Sequence, residues 1–497
     1  LPPDTPASIP DGPLTIPYYA HPSMHAMEMR LRMRGSLPTT HSTQIDPMNN
    51  PHAFNTTNLH VHGIQTVPHL FDPVGTSDPH AMMIAIRPGS SFRYDFPIPP
   101  DHPSGLYWYH PHHHGATDVQ VGGGMAGLLI VRGPIDDVPE IAAAREILLA
   151  IQTLELNPAP HDPRLLQFEF VAYQPPYPQG DGYNCAFDYM MVMVNGHPVS
   201  FVDYVYTKTR RARREAAVRF SQQPPPVYHL SPGEVVRLRM LQGTNFMFMP
   251  VTLPGMDVYV IGRDGVNLPA PQLLDQRHPV EVVDDKNLYA GTSIDMPPGS
   301  RAEMLIRARE PGTYTLRSVA VRGVADMYYP AIDLARFVVS GSRMQMAIPK
   351  ELPIPTREYP LISKSDIVRT RTLQFSEASS TSILPGVAYL LDGHSYDETR
   401  IDWWPHIGTA EEWTLTNTST EGHPFHIHVN SFEVLAVNGV PIPPTIRDVI
   451  WIPPAKGGVP SSVRLRIRFK EWTGKSVLHC HILPHEDLGM MQNLLLS

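Results

Sequence analysis

The chain carries its densest group of metal-binding side chains in the stretch His479-Cys480-His481-Ile482-Leu483-Pro484-His485-Glu486-Asp487-Leu488-Gly489-Met490. It holds three histidines, one of the two cysteines of the chain, and a methionine ten residues after that cysteine. A thiolate, two imidazoles and a distant thioether together make a blue-copper electron-transfer site. Cys480, His485 and Met490 can supply three of these ligands, so the second imidazole must come from elsewhere.

The histidines on either side of the cysteine have a separate role. Neighbouring side chains of a β-strand point to opposite faces, so His479 and His481 point away from Cys480. They can bind other metal ions while a few covalent bonds join them to the cysteine. The stretch therefore predicts a short path for electrons from one metal site to another.

Three further stretches repeat this chemistry: His60-Val61-His62-Gly63, Trp108-Tyr109-His110-Pro111-His112 and His423-Pro424-Phe425-His426-Ile427-His428. With the C-terminal stretch they use ten of the 25 histidines, and His423 offers the missing imidazole. A structural zinc site would explain some of these residues, because zinc is commonly bound by histidine and cysteine. It would not explain four clusters in this order.

The four stretches resemble the four copper motifs of the multicopper oxidases, the family of laccases and bacterial copper-efflux oxidases. The resemblance is tightest at the motifs and extends more loosely over the chain through its length and the placement of the motifs. It implies four copper ions per chain. Carried over by motif, it implies a type 1 copper bound by His423, Cys480, His485 and Met490, a type 2 copper bound by His60 and His426, and two type 3 coppers bound by His62, His110 and His481 and by His112, His428 and His479.

The length of 497 residues suggests three domains. The 55 prolines and several alternating stretches favour strands over long helices. We expect an all-β protein of three cupredoxin-like domains, each a Greek-key β-sandwich or barrel. The expected domains cover residues 1–135 with the first two motifs, 136–345 with none, and 346–497 with the last two. We interpret the middle domain as a spacer that holds the two outer domains together.

Some stretches fit this plan less directly. Residues 157–185 and 206–230 are rich in proline and polar residues, and we interpret them as loops or insertions. The basic run Lys208–Arg214 within the second is better explained as a solvated loop than as a site for an anionic partner. Residues 24–33 alternate methionine with charged residues, which favours a half-buried core strand over a Cu(I) site.

Oxygen reduction also requires protons. Glu486 directly follows His485, and in similar bacterial enzymes a glutamate here relays protons; it can equally orient a metal ligand. Relatives also place an acidic residue just beyond the first motif, where Asp72 is our first choice and Asp78 the second, although both also suit turns. Asp448 and Asp487 are weaker candidates.

The net charge and the cysteine content limit the possible partners and the cellular location of the protein. The net charge of -9 argues against nucleic acid, and no apolar run approaches the ~18 residues of a membrane helix. Outside the metal motif only Cys185 remains, so we expect no internal disulfide. The chain begins at Leu1, which suggests processing, and the resemblance implies a periplasmic or secreted protein whose signal peptide is not visible.

The expected function is laccase-like: one-electron oxidation of phenolic or other organic donors, coupled to reduction of O2 to water. The partners are then a small organic reductant and O2. One alternative is a metallo-oxidase that takes electrons from Cu(I), and another is a non-catalytic copper-binding or electron-transfer protein. No methionine lies between Met346 and Met490 to bind Cu(I) near the type 1 site, which favours organic donors.

Overall fold

The computed structural model describes residues 17–19, 48–159, 162–168, 189–204, 218–276, 281–284, 288–289, 291–321, 329–380 and 387–497. The methionine-rich stretch 24–33, the basic run Lys208–Arg214 and Cys185 lie outside these residues. Strands make up 46% of the chain and helices 6%, which confirms the predicted all-β class. None of the helices in the described ranges is long and apolar enough to cross a membrane.

The first group of strands carries the first two histidine motifs. Its strands are β1 (Pro17–Tyr19), β2 (His60–His62), β3 (Ser91–Arg93), β4 (Gly105–His110) and β5 (Gly127–Val131). Helix α1 (Thr117–Gly122) lies between β4 and β5, and a 3-10 helix (Pro134–Asp137) and helix α2 (Pro139–Ala142) follow β5. Strands β2, β4 and β5 form one sheet, in which His60 lies opposite His110. Pairing of β2 with β4 therefore brings the first two motifs together.

The second group is the largest. It comprises β6 (Arg145–Ala159), β7 (Asp162–Phe168), β8 (Tyr189–Val194), β9 (His197–Tyr204), β10 (Val218–Gln222), β11 (Val227–Leu230), β12 (Val235–Gln242), β13 (Val251–Thr252), β14 (Asp257–Arg263), β15 (Val266–Leu273), β16 (Val282–Val283), β17 (Arg301–Arg307), β18 (Gly312–Ser318), β19 (Ala320–Val321) and β20 (Asp333–Val339). A nine-stranded sheet runs in the order β10-β9-β8-β6-β12-β17-β14-β15, with β7 on β6, and a four-stranded sheet runs in the order β11-β20-β18-β13. Leu238, Met240 and Phe337 are fully buried in its apolar core.

The third group carries the last two motifs. It comprises a 3-10 helix (Lys364–Asp366), β21 (Ile367–Ser379), β22 (Val387–Leu391), β23 (Ala410–Asn417), β24 (His423–Ile427), β25 (Phe432–Val437), β26 (Val440–Arg447), β27 (Val449–Ile452), β28 (Ser461–Arg468), β29 (Gly474–Cys480), helix α3 (Leu483–Asp487) and β30 (Met491–Leu496). One sheet runs in the order β22-β21-β23-β28-β25-β26 and the other in the order β27-β24-β29-β30. In the second sheet Phe425 lies opposite Cys480 and His426 opposite His479, so the last two motifs are neighbours.

Both regions that we interpreted as loops or insertions, residues 157–185 and 206–230, contain strands. Residues 157–159 continue β6, which pairs with β7 across Leu156 and Phe168. Strands β10 and β11 lie within 206–230, where β10 pairs with β9 and β11 with β20. The loop interpretation is wrong for these strands, because pairing with a neighbouring strand outweighs a proline-rich and polar local composition.

The three groups follow one another along the chain. Within the described residues, strands pair only with strands of their own group. This grouping suits three consecutive domains, while the exact boundaries near residues 135 and 345 stay predictions. The groups nevertheless make close side-chain contacts, and the histidines lie where the first and third groups meet.

Candidate metal centre

Cys480 forms one candidate site with two histidines. Its Sγ lies 3.6 Å from Nδ1 of His423 and 3.7 Å from Nδ1 of His485, and these two nitrogens are 3.3 Å apart. His423 begins β24, Cys480 ends β29 and His485 lies in α3. We call these three residues the cysteine triangle. Their ligand atoms face one point, as a shared metal ion requires.

Burial disfavours the charged forms of Cys480 and His485. The side chain of Cys480 is fully buried, and burial raises the pKa of its thiol well above the usual value. Burial likewise lowers the pKa of His485, and His423 adds to this effect. A neutral imidazole is a good copper ligand, and a bound cation would stabilise the thiolate that burial alone disfavours.

Met490 lies beside the triangle. Its side chain is fully buried, its backbone N–H donates to the carbonyl of His485 at 2.9 Å, and its carbonyl accepts from the N–H of Cys480 at 3.0 Å. The backbone therefore holds the methionine next to two of the predicted ligands.

The outer edges of the two triangle histidines meet acidic side chains. Nε2 of His485 lies 3.4 Å from a carboxylate oxygen of Glu421, and Nε2 of His423 lies 3.6 Å from Glu377 and 2.8 Å from Oγ of Ser419. His423 is fully buried and His485 is 5% exposed. Carboxylate oxygens therefore lie at the ring edges that point away from Cys480.

The other eight predicted histidines form a second, buried site. We call it the eight-histidine cluster, and it contains His60, His62, His110, His112, His426, His428, His479 and His481. Nε2 of His479 lies 3.1 Å from Nε2 of His112 and 3.3 Å from Nε2 of His428. These three nitrogens thus form the group that the resemblance implies for one type 3 copper.

The remaining cluster histidines are less tightly convergent. Nε2 of His481 lies 3.3 Å from Nδ1 of His62, while the ring of His110 is 5.7 Å from that of His481 and 5.8 Å from that of His62. The rings of His60 and His426 are 6.1 Å apart. The structure therefore brings all eight histidines to one site. Within the other two ligand sets that the resemblance implies, not all members are in contact with one another.

The chemistry of the cluster fits metal ions. Nε2 of His60, His110 and His426 is buried and has no hydrogen-bond partner. Leaving a buried polar atom unsatisfied costs about 1–3 kcal/mol, so each nitrogen is suited to an ion that would accept its lone pair. Burial lowers the pKa of all three imidazoles, to about 3 for His110, which keeps them neutral and able to coordinate.

Glu486 supports the cluster from behind. Its side chain is fully buried, with one carboxylate oxygen 3.2 Å from Nδ1 of His112 and the other 3.1 Å from Nδ1 of His479. The Nδ1–H of His479 donates to the carbonyl of Cys480 at 2.9 Å. The carboxylate of Glu486 therefore lies within ion-pair distance of two imidazoles whose Nε2 atoms face the cluster.

The predicted carboxylates near the first motif lie elsewhere. Asp72 and Asp78 are exposed, whereas the cluster is buried. The residue that packs against His60 is His69, which is buried and whose Nε2 lies 3.3 Å from Nδ1 of His60 and accepts from the N–H of Val61 at 3.1 Å. Sequence reasoning missed His69, because nothing in its local pattern distinguishes it from other histidines.

The weaker acidic candidates are both buried near the site. Asp448 lies 3.4 Å from Nε2 of His62, and the carboxylate of Asp487 accepts from the backbone N–H groups of Gly115 and Asp118 at 2.7 and 2.9 Å. Burial raises the pKa of both carboxyl groups.

The two extra histidines of the second motif stay outside the cluster. His113 is half-buried and His114 is buried against Tyr396, with ring centroids 4.7 Å apart. Neither is among the convergent ligand groups of the described residues.

Sequence comparisons match both ends of the chain. A family model described as multicopper oxidase matches residues 37–135, and a second with the same description matches residues 368–497. These ranges include all four histidine motifs.

Known proteins align over shorter stretches. The multicopper oxidase mco of Staphylococcus haemolyticus is 37% identical over 108 residues, which are 20% of this chain and 23% of that protein. A laccase of Haloferax volcanii is 29% identical over 210 residues, 40% of this chain and 34% of that protein. The chain therefore aligns with only a minor part of the length of these relatives.

Solved structures align over most of the chain. A multicopper oxidase of Campylobacter jejuni, described as a metallo-oxidase, matches with a TM-score of 0.63 and 24% identity over 89% of this chain and 80% of that one. Such a likeness bears on the fold, and it confirms the predicted cupredoxin-like architecture. Because both family models match, the regions 37–135 and 368–497 of the chain belong to the multicopper oxidase family.

Proposed function

We propose that this protein is a laccase-like oxidase, which couples one-electron oxidation of phenolic or other organic donors to reduction of O2 to water. One observation carries the proposal. The sulfur of Cys480 contacts His423 and His485 in the cysteine triangle. The rings of its sequence neighbours His479 and His481 reach into the eight-histidine cluster. A site that accepts electrons is thereby joined through a few covalent bonds to a site large enough for several metal ions.

Four copper ions suit these two sites. We assign the type 1 ion to the cysteine triangle with Met490, the type 2 ion to His60 and His426, and the type 3 ions to His62, His110 and His481 and to His112, His428 and His479. The close contacts of His479 with His112 and His428 support the last set. When bound, copper supplies the ability to take up single electrons and to reduce oxygen.

The chain's own residues control orientation and protons. The carboxylate of Glu486 lies beside Nδ1 of His112 and of His479, and we propose that it steers their Nε2 atoms inward and also relays protons. The side chain of Asp72 is exposed, so only the resemblance supports Asp72 as a second proton relay. The burial of the cluster excludes bulk water, which strengthens every electrostatic contact inside it.

The donor class follows from the surroundings of the cysteine triangle. The described part of the third group contributes no methionine before Met490 that could hold Cu(I) beside the triangle. Glu421 and Glu377 at the outer ring edges would accept the proton that a phenol releases on oxidation. We therefore propose phenolic donors, in a protein that acts in the periplasm or after secretion.

The test is oxygen uptake by the copper-loaded protein with dimethoxyphenol or the dye ABTS, with and without excess Cu(II). We expect a blue protein with four coppers per chain and phenol oxidation without added copper. Cys480→Ser should abolish the blue colour and the activity together. Rapid oxidation of Cu(I), with phenol oxidation only after copper is added, would instead support a metallo-oxidase. A lack of oxygen uptake with every donor would support a copper-binding protein without turnover.

A further inference from the structure

Arg301 connects all three groups of strands beside the eight-histidine cluster. It begins β17 in the second group, and its guanidinium group is fully buried. Nη1 and Nη2 each donate to one carboxylate oxygen of Asp448 in the third group, both at 2.7 Å. Nε donates to the carbonyl of Leu106 on β4 in the first group at 3.1 Å. A paired fork of this kind fixes the orientation of the carboxylate as well as its charge.

Asp448 in turn contacts two histidines of the cluster. Its carbonyl accepts from the Nδ1–H of His426 at 2.7 Å, which leaves Nε2 of His426 for a metal ion. Its carboxylate lies 3.4 Å from Nε2 of His62, whose Nδ1 faces the cluster at 3.3 Å from His481. Asp448 therefore fixes the presented nitrogen of His426 by a hydrogen bond and places a carboxylate beside the outer nitrogen of His62, and Arg301 holds that carboxylate in place.

The surroundings of Arg301 leave little room for another arrangement. Gly63, the residue after His62, has φ +83°, and a Cβ there would collide with Nη2 of Arg301 and with a carboxylate oxygen of Asp448. On the same segment as Arg301, a Cβ at Gly299 would lie 2.8 Å from Nε2 of His481. The second group thus packs directly against the cluster at two points.

We propose that Arg301 is a positioning residue for the copper ions of the eight-histidine cluster, acting through Asp448 on His62 and His426. This rests on the proposed function, since it assumes that the cluster binds copper. The middle domain then does more than space the outer ones, because it supplies the group that orients ligands contributed by both of them. Removing residues that orient metal ligands typically weakens metal binding about 10- to 100-fold.

The chain offers a matched control for the variant Arg301→Lys. That substitution keeps the positive charge but removes the planar fork that binds two oxygens at once. Arg447 makes the same kind of buried pair, with Nη1 and Nη2 donating to Asp295 at 2.7 and 3.0 Å, and it also joins the third group to the second. The partner Asp295 binds Arg263 rather than a histidine. Arg447→Lys therefore loosens the same interface but leaves the pair between Arg301 and the carboxylate of Asp448 in place.

The experiment measures copper per chain during competition with a chelator, together with the electron paramagnetic resonance signal of type 2 copper and the blue band. In Arg301→Lys we expect cluster copper to be lost at about 10- to 100-fold lower chelator concentration, with a changed type 2 signal and an unaltered blue band. Arg447→Lys should match the wild type. Asp448→Asn, which retains the size of the side chain, should reproduce the loss and provides a second route if Arg301→Lys does not fold.

Two results overturn the proposal. One is an unchanged type 2 signal and unchanged copper retention in Arg301→Lys or Asp448→Asn. The other is an equal loss in Arg447→Lys, which would reduce Arg301 to a general interface contact. Wild-type protein that takes up no cluster copper would instead refute the proposed function, so the two failures are distinguishable.

Discussion

The carboxylate of Glu486 bridges two imidazoles, with one oxygen 3.1 Å from Nδ1 of His479 and the other 3.2 Å from Nδ1 of His112. His479 belongs to the third group of strands and His112 follows β4 of the first. One buried acid therefore contacts candidate ligands from both sides of the interface, and its own position next to His485 links it to the cysteine triangle.

This relationship makes Glu486→Gln informative. The amide retains the size of the side chain but cannot take up and release protons, so reoxidation of the reduced enzyme by O2 should slow by about 10- to 100-fold. Reduction of the blue site by donor should hardly change. Stopped-flow measurement of each half-reaction separates the two. Equal slowing of both would point to a disturbed His485 rather than to a proton relay.

Met490→Leu should raise the potential of the blue site. A thioether donates more electron density to copper than a hydrocarbon does and so stabilises Cu(II), and the axial ligand tunes this potential. Met491→Leu is the matched control, because Met491 is equally buried but packs in a separate cluster with Phe71 and Val477. Redox titration of the blue band measures both variants. A potential that moves equally in both, or in neither, would contradict an axial role for Met490.

Glu421→Gln should change the selectivity among donors. Its carboxylate lies 3.4 Å from Nε2 of His485, so it repels the anionic dye ABTS more than a neutral phenol. Neutralising it should raise the ratio of ABTS to phenol turnover by on the order of 2- to 10-fold, most strongly at low salt. Glu310→Gln removes an exposed charge in the second group and should leave kcat/KM for both donors unchanged. A ratio unaffected by Glu421→Gln would place the donor elsewhere.

The stability of the copper-free protein should fall as the pH drops below 7. Burial lowers the pKa of His102 from 6.5 to about 4, and it outweighs the hydrogen bond from Nδ1–H to the carbonyl of Pro103, which raises the pKa. Nε2 of His102 accepts from the N–H of Gln65, as the neutral ring allows. The unfolded chain then binds the proton more readily, so stability is lost as the pH falls from 6.5 towards 4. Between pH 7 and 5 this group should cost about 2 kcal/mol.

Urea denaturation of the copper-free protein at both pH values tests this. His102→Gln retains an acceptor for Gln65 but cannot be protonated, and its stability should depend less on pH by that amount. An identical pH dependence in the variant and the wild type would show that His102 is not the titrating group.

The sequence by itself determined the candidate ligands and the class of fold. Metal-binding residue types are rare enough that their spacing is informative, and the alternation of a strand fixes which way His479 and His481 point from Cys480. These are properties of a few adjacent residues, so no tertiary contact is needed to infer them. The alternating stretches at β12 and β17 were predictable for the same reason.

Only the tertiary structure decided which side chains surround the ligands. Arg301 lies 147 residues before its partner Asp448, and His69 differs in no local pattern from a surface histidine. Asp72, the first choice for an acidic residue just beyond the first motif, is exposed. Strands β7, β10 and β11 formed where composition suggested loops, because pairing partners elsewhere in the chain stabilise them. Such contacts depend on how separate segments pack, and neither periodicity nor spacing encodes that packing.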